Sequence, residues 1–113
     1  MKVVKKSQVK KVKSSDNCTA YEYSLGDKDI DFAVIDLKGR YPSKGKVVNK
    51  VCKELAFILE GSVILNVDGE DVQLEKGDEV LIMPNEKYFW NGRCKLLTAC
   101  TPSWYIEQHK NIK

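Results

Sequence analysis

The stretch Glu54–Asn91 reads ELAFILEGSVILNVDGEDVQLEKGDEVLIMPNEKYFWN, and its pattern decides the fold. Short runs of Val, Ile, Leu, Tyr and Phe alternate with Gly, Asp, Asn and Pro, as in short strands joined by turns. Asp68-Gly69 separates Ser62–Val67 from Glu70–Leu74. A two-residue hairpin turn needs positive φ, which glycine adopts at no steric cost. Glu60-Gly61 and Glu75-Lys76-Gly77-Asp78 read as further turns, and Pro84-Asn85 ends a strand over Glu79–Met83.

The same pattern extends outward. Upstream lie Cys18–Leu25, Ile30–Leu37, Lys46–Cys52 and Glu54–Leu59; downstream lie Lys87–Trp90 and Lys95–Thr101, stopped by Pro102. No segment carries the spacing of a long amphipathic helix. Many short strands at regular intervals predict an all-β sandwich or barrel. With 113 residues and no linker or repeat, the chain reads as one domain. Its parts are a basic arm or edge strand (1–17), a barrel (18–102) and a tail (103–113). Phe57, Ile58, Leu59, Val63, Leu65, Val67, Leu81 and Leu97 are the expected core.

Charge is unevenly placed. The net charge is +3, yet residues 1–13 carry six lysines and no acid, leaving the rest at −3. The arm's lysines alternate with Val3, Val4, Val9 and Val12, which suits an exposed edge strand guarded against aggregation. No reader motif or aromatic platform accompanies them, so nucleic acid is not an expected partner. The opening residues hold no signal-peptide core and no apolar run is long enough for a membrane helix, so the expected location is the cytoplasm. Cys18, Cys52, Cys94 and Cys100 fit no zinc spacing and read as reduced, buried thiols.

Residues 54–91 resemble the cupin superfamily, whose fold is a jelly-roll β-barrel. The family's first motif is G-x5-H-x-H-x3,4-E-x6-G, and Glu54 with Gly61 matches its second half. Gly77 opens the second motif, G-x5-P-x-G-x2-H-x3-N, with Pro84 one place late. The resemblance implies a cupin-type, single-domain jelly-roll barrel, and homodimers. Exposed Tyr41 and Phe89, if clustered, would suit a dimer interface.

The departures bear on chemistry. With the shorter spacing the two first-motif histidine positions hold Val48 and Lys50; with the longer they hold Val47 and Asn49. The second-motif histidine falls on Tyr88, and Glu54 alone survives as a conventional ligand. No metal and no cofactor are therefore expected. On the shorter spacing, Val48, Lys50, Cys52 and Glu54 share one face of an extended segment, provided no bulge intervenes. Lys50 and Glu54 would then form an ion pair inside the barrel, with the Tyr88 phenol as a donor. Trp90 shares the parity of Tyr88. The tail holds Trp104 and His109; folding over the barrel mouth and packing on a partner subunit both remain open, as does a tail with His109 in solvent.

The expected function is a metal-independent barrel that binds a small polar metabolite, a sugar derivative or organic acid, with Val48, Lys50, Cys52, Glu54, Tyr88, Trp90, Trp104 and His109 as ligand-binding candidates. The alternative is a small isomerase, epimerase or lyase using Lys50, Glu54 and Tyr88 as catalytic acid and base, or a metal enzyme with unusual ligands such as Glu54 and Cys52. A third reading is a non-catalytic interaction domain.

Overall fold

The structure, a computed structural model, describes residues 1–112. Among the described residues nine strands form one curled antiparallel sheet: β1 (Lys10–Ser15), β2 (Cys18–Glu22), β3 (Asp31–Tyr41), β4 (Lys46–Asn49), β5 (Lys53–Val67), β6 (Glu70–Glu75), β7 (Glu79–Ile82), β8 (Lys87–Thr101) and β9 (His109–Ile112). The order runs β1-β2-β3-β8-β4-β9, and β5 pairs with β6, β7 and β8. The fold is the cupin-type β-barrel that the sequence predicts. Among the described residues no helix is long and apolar enough to cross a membrane.

Two long strands organise it. β5 and β8 run antiparallel from Lys53↔Thr101 to Val67↔Tyr88. The expected breaks at Glu60-Gly61 and after Trp90 are not turns, because both strands continue through them. The register slips between Ile58 and Glu60, a bulge that bends β5. Gly61 is there for contact as well as conformation. Its φ is +80°, and an added Cβ would lie 2.2 Å from the Arg93 carbonyl oxygen. Gly92 on β8 likewise passes close to the Ser62 carbonyl, where a Cβ would sit at 2.6 Å. Glycines inside strands mark such bends and close approaches.

The hairpin at Asp68-Gly69 forms as predicted. Asp68 and Gly69 have φ of 50° and 88°, and Val67 pairs with Glu70 across the two-residue loop. β1 is an edge strand lined by Lys10, Lys11 and Lys13; of the alternating valines only Val12 lies in it, since Val3, Val4 and Val9 precede it and residues 6–8 form a 3-10 turn.

Alternation along the strands divides the apolar residues. Ala56, Ile58, Val63, Leu65, Ile82, Tyr88, Trp90 and Leu96 face inward and are buried. Three expected core residues do not: Phe57, Leu81 and Leu97 have the opposite parity, with Phe57 and Leu81 38% and 50% exposed and Leu97, directly opposite Phe57, only half-buried. Hydrophobicity alone placed them inside, whereas the pleat places them on the outer face. Phe89 also faces away from the interior, with the Arg40 guanidinium 4.1 Å from its ring centroid. Tyr41 turns inward, so the two do not cluster on the surface as a dimer contact would require.

Gly61→Ala is expected to destabilise the fold by about 3 kcal/mol, because backbone must move to admit the methyl. Gly69→Ala meets nothing within 4 Å and should cost only the left-handed conformation, about 1 kcal/mol. Urea unfolding of the two variants side by side checks the difference.

Candidate functional site

The barrel interior opens into a cavity of about 120 Å³ between the sheet and the C-terminal tail. Glu54, Tyr88, Trp90, Tyr41, Trp104 and His109 contribute to its wall. Cross-strand register explains the placement of the first. Glu54 on β5 sits opposite Cys100 on β8, whose inward parity it shares. It is 8% exposed.

The tail does fold over the mouth. β9 pairs with β4 in the register Asn49↔His109, and a 3-10 turn at Ile106–Gln108 delivers the strand. Gln108 is buried and acts as a staple. Its side-chain oxygen accepts from the backbone N–H groups of Val51 and Cys52, both at 3.2 Å.

Those two backbone donors fix every proton in the network that follows. Backbone nitrogen only donates, so the contacting atom of Gln108 is its oxygen, and its Nε2 donates to Asn49 Oδ1 at 3.1 Å. Asn49 Nδ2 therefore faces the other way, toward Glu54 Oε1 at 3.4 Å and the Tyr88 hydroxyl oxygen at 3.3 Å. His109 Nδ1 lies 2.7 Å from Asn49 Oδ1, which can only accept. The imidazole thus carries its proton on Nδ1. Burial lowers the His109 pKa and holds the ring neutral. Its Nε2 is then an acceptor, and the Tyr41 hydroxyl donates to it at 2.9 Å.

The electrostatics follow from burial. Desolvation pushes the Glu54 carboxyl up from 4.5 to about 6, partly offset by the hydrogen bonds from Asn49 and the Cys100 thiol. Glu54 accepts from both on Oε1, which leaves Oε2 without a protein hydrogen bond among the described residues and facing the cavity. Burial likewise raises Tyr88 and Tyr41, so both are phenols at neutral pH. Tyr88 accepts from Asn49 and keeps its own proton to give.

The longer motif spacing is the one the fold realises. β4 ends at Asn49, and residues 50–52 form a bend before β5. The alternation assumed from Val48 to Glu54 is broken there. Lys50 is exposed and makes no ion pair with Glu54. Val48 is buried but does not line the cavity, and neither does Cys52, whose thiol donates to the Pro102 carbonyl at 3.3 Å. Glu54, Tyr88, Trp90, Trp104 and His109 do come together. Sequence reasoning missed Gln108 and Tyr41 as site residues. Asn49 was visible only as the alternative motif alignment.

A divalent ion held in the family's usual positions does not fit these residues. Val47 offers no donor atom, and the Asn49 oxygen is already taken by Gln108 and His109. Among the described residues no three His, Cys, Asp or Glu side chains gather in ligand geometry.

Residues 39–96 match the family model of the EutQ-like cupin domain. The chain belongs to that family. The match takes in Tyr41, Asn49, Glu54 and Tyr88 and stops short of Gln108 and His109. No curated protein matches the sequence. Among solved structures, Streptomyces PAC13 with uridine superposes with a TM-score of 0.88 at 10% identity, over 96% of this chain and 88% of that one. PAC13 is described as a nucleoside dehydratase. The polyketide cyclase RemF from Streptomyces resistomycificus gives 0.77 at 16% identity, over 100% and 86%. A cupin-superfamily sugar phosphate isomerase from Silicibacter pomeroyi gives 0.64 at 14% identity, over 76% and 60%. These likenesses show a shared fold.

The raised Glu54 carboxyl has a consequence for stability. The folded chain keeps this proton to about pH 6 and the unfolded chain to about 4.5. The contribution is fully present below about pH 4.5 and is lost as pH rises through about 6, a change of about 2 kcal/mol. Glu54→Gln removes it. The difference between wild-type and Glu54→Gln stability, measured by denaturant unfolding from pH 4 to 8, should therefore change across that window and be flat above it.

Proposed function

We propose that the barrel binds a small polar metabolite and moves protons on it, as an isomerase, epimerase or lyase does. The observation that carries this reading is the buried Glu54 carboxyl, with one oxygen open to the cavity and a pKa brought near neutrality. A group poised near the working pH serves as both acid and base. Tyr88 supplies a hydroxyl proton to a ligand oxygen. Tyr41 and His109 form a second relay: the Tyr41 oxygen takes a proton from the ligand as its own passes to His109 Nε2. The catalytic assignment is thus Glu54, Tyr88, Tyr41 and His109; Lys50 has no part in it. Trp90 and Trp104 form apolar wall. The small-molecule chemistry of the structural neighbours supports a ligand in this cavity, and the donor set supports a reaction without a metal.

The test uses exchange with solvent. A thermal-shift screen of sugars, amino sugars, nucleosides and hydroxy acids identifies binders, and NMR in D2O follows deuterium entering each. At least one binder should exchange a carbon-bound proton, and Glu54→Gln should slow this by about 100-fold or more. Exchange that persists unchanged in Glu54→Gln, or no binder whose shift depends on Glu54 or Tyr88, contradicts the reading.

We infer also that the protein is a homodimer, paired through its outer sheet face. Leu55, Phe57, Leu81 and Met83 are 38–50% exposed there, with Leu55 opposite Leu81 in register. Sedimentation should give a dimer for the wild type and a monomer for Leu81→Glu. A monomeric wild type overturns this inference.

A further inference from the structure

The charges around the cavity say what kind of ligand it takes, given the reading above that a ligand binds there. Three carboxylates contribute to its wall: Glu22 on β2, Asp31 on β3 and Glu54 on β5. Register sets their arrangement. Asp31 pairs with Cys100 and Cys100 pairs with Glu54, so the two acids flank one thiol in a single row across three strands. Glu22 pairs with Ala33, one inward position along β3 from Asp31. Among the described residues no lysine or arginine lines the cavity, and His109 is neutral. The one ion pair among the described residues joins Lys2 to Asp27, away from this wall. Lys10 stands directly opposite Glu22 in the β1–β2 register, and among the described residues Glu54 and Asp31 take part in no ion pair.

The remaining wall is aromatic, with Phe32, Tyr41, Trp90 and Trp104. Aromatic faces attract cations as carboxylates do, and the two together favour a cation with an apolar or weakly polar body. A bare divalent ion is the wrong size for them, because the acids are spread over separate strands and do not close on one point. An anion is opposed by the Glu54 and Asp31 carboxylates on either side of Cys100. Of the two expected ligand classes this disfavours the organic acids, since the donors here are neutral hydroxyls with no cation among the described wall residues.

We propose that the ligand is a small molecule bearing a protonated amine, seated with its ammonium toward Glu54 and Asp31 and its body against Trp90 and Trp104. Glu54 Oε2, which has no protein partner among the described residues, accepts from the ammonium, with Asp31 beside it across Cys100.

Two matched series test this by NMR titration of the 15N-labelled full chain. One is glucosamine, glucose and glucuronate; the other is tyramine, tyrosol and 4-hydroxyphenylacetate. Within each series the body is nearly constant and the charge runs from positive through neutral to negative. At least one amine should bind, with shifts at Glu54, Cys100 and Trp104, about tenfold or more tighter than its neutral partner, and the acid more weakly still. Asp31→Asn should weaken the amine severalfold and leave the neutral compound unchanged. Equal or tighter binding of the neutral or acidic member at the same residues overturns the amine proposal while sparing the cavity as a ligand site. No binding by either amine overturns the proposal. If no compound in either series shifts a cavity residue and the broader screen also finds no binder, the ligand-site reading fails with it.

Discussion

Asn49 is 1% exposed and carries an amide with two donors and an acceptor oxygen. An amide buried without partners costs about 2–7 kcal/mol, depending on the reference state. Here both ends are engaged. The oxygen receives Gln108 and His109, and the nitrogen serves Glu54 and Tyr88. One side chain on a four-residue strand therefore ties the tail to the carboxyl and the phenol of the cavity. The tail in turn is pinned by the two backbone N–H groups that Gln108 receives. Remove the amide and the site loses the tautomer of His109, the donor to Glu54 and the anchor of β9 together.

This arrangement explains how a cupin barrel can keep an organised interior without three inward histidines. In this chain an asparagine occupies one histidine position and a tyrosine another. They form a hydrogen-bonded frame around the one carboxylate that remains. The histidine that does reach the cavity comes from the tail, outside the segment that matches the family. Polar networks of this kind are favourable only when satisfied; among the described residues no fully enclosed side-chain N or O atom lacks a partner, and Glu54 Oε2 is left to the cavity.

The barrel was legible because strand periodicity and glycine chemistry are local. Asp68-Gly69 specifies its hairpin wherever the strands lie, and its lysines mark β1 as an edge. The parity of Tyr88 and Trp90 followed from their spacing of two. What local pattern does not encode is where alternation is interrupted. The bend at residues 50–52 turned Lys50 outward and Asn49 inward, and the bulge after Ile58 carried β5 through a glycine that reads as a turn. Phe57 and Leu81 looked like core because composition cannot tell the two faces of a sheet apart. Tyr41 and Gln108 belong to the site only through partners 68 and 57 residues away along the chain, a proximity that only the folded topology creates.

His109 is the sole histidine, so its side-chain nitrogens can be observed alone by 15N NMR in the intact protein. The Asn49 contact and the burial of the ring predict a neutral imidazole protonated on Nδ1 at pH 7, which gains its second proton only below the ordinary histidine value of about 6.5. They also predict that Asn49→Ala brings the ring back toward ordinary titration. A ring protonated on Nε2, or one that titrates near 6.5 in the wild type, would mean that the tail is not latched to Asn49 and would contradict the site described here.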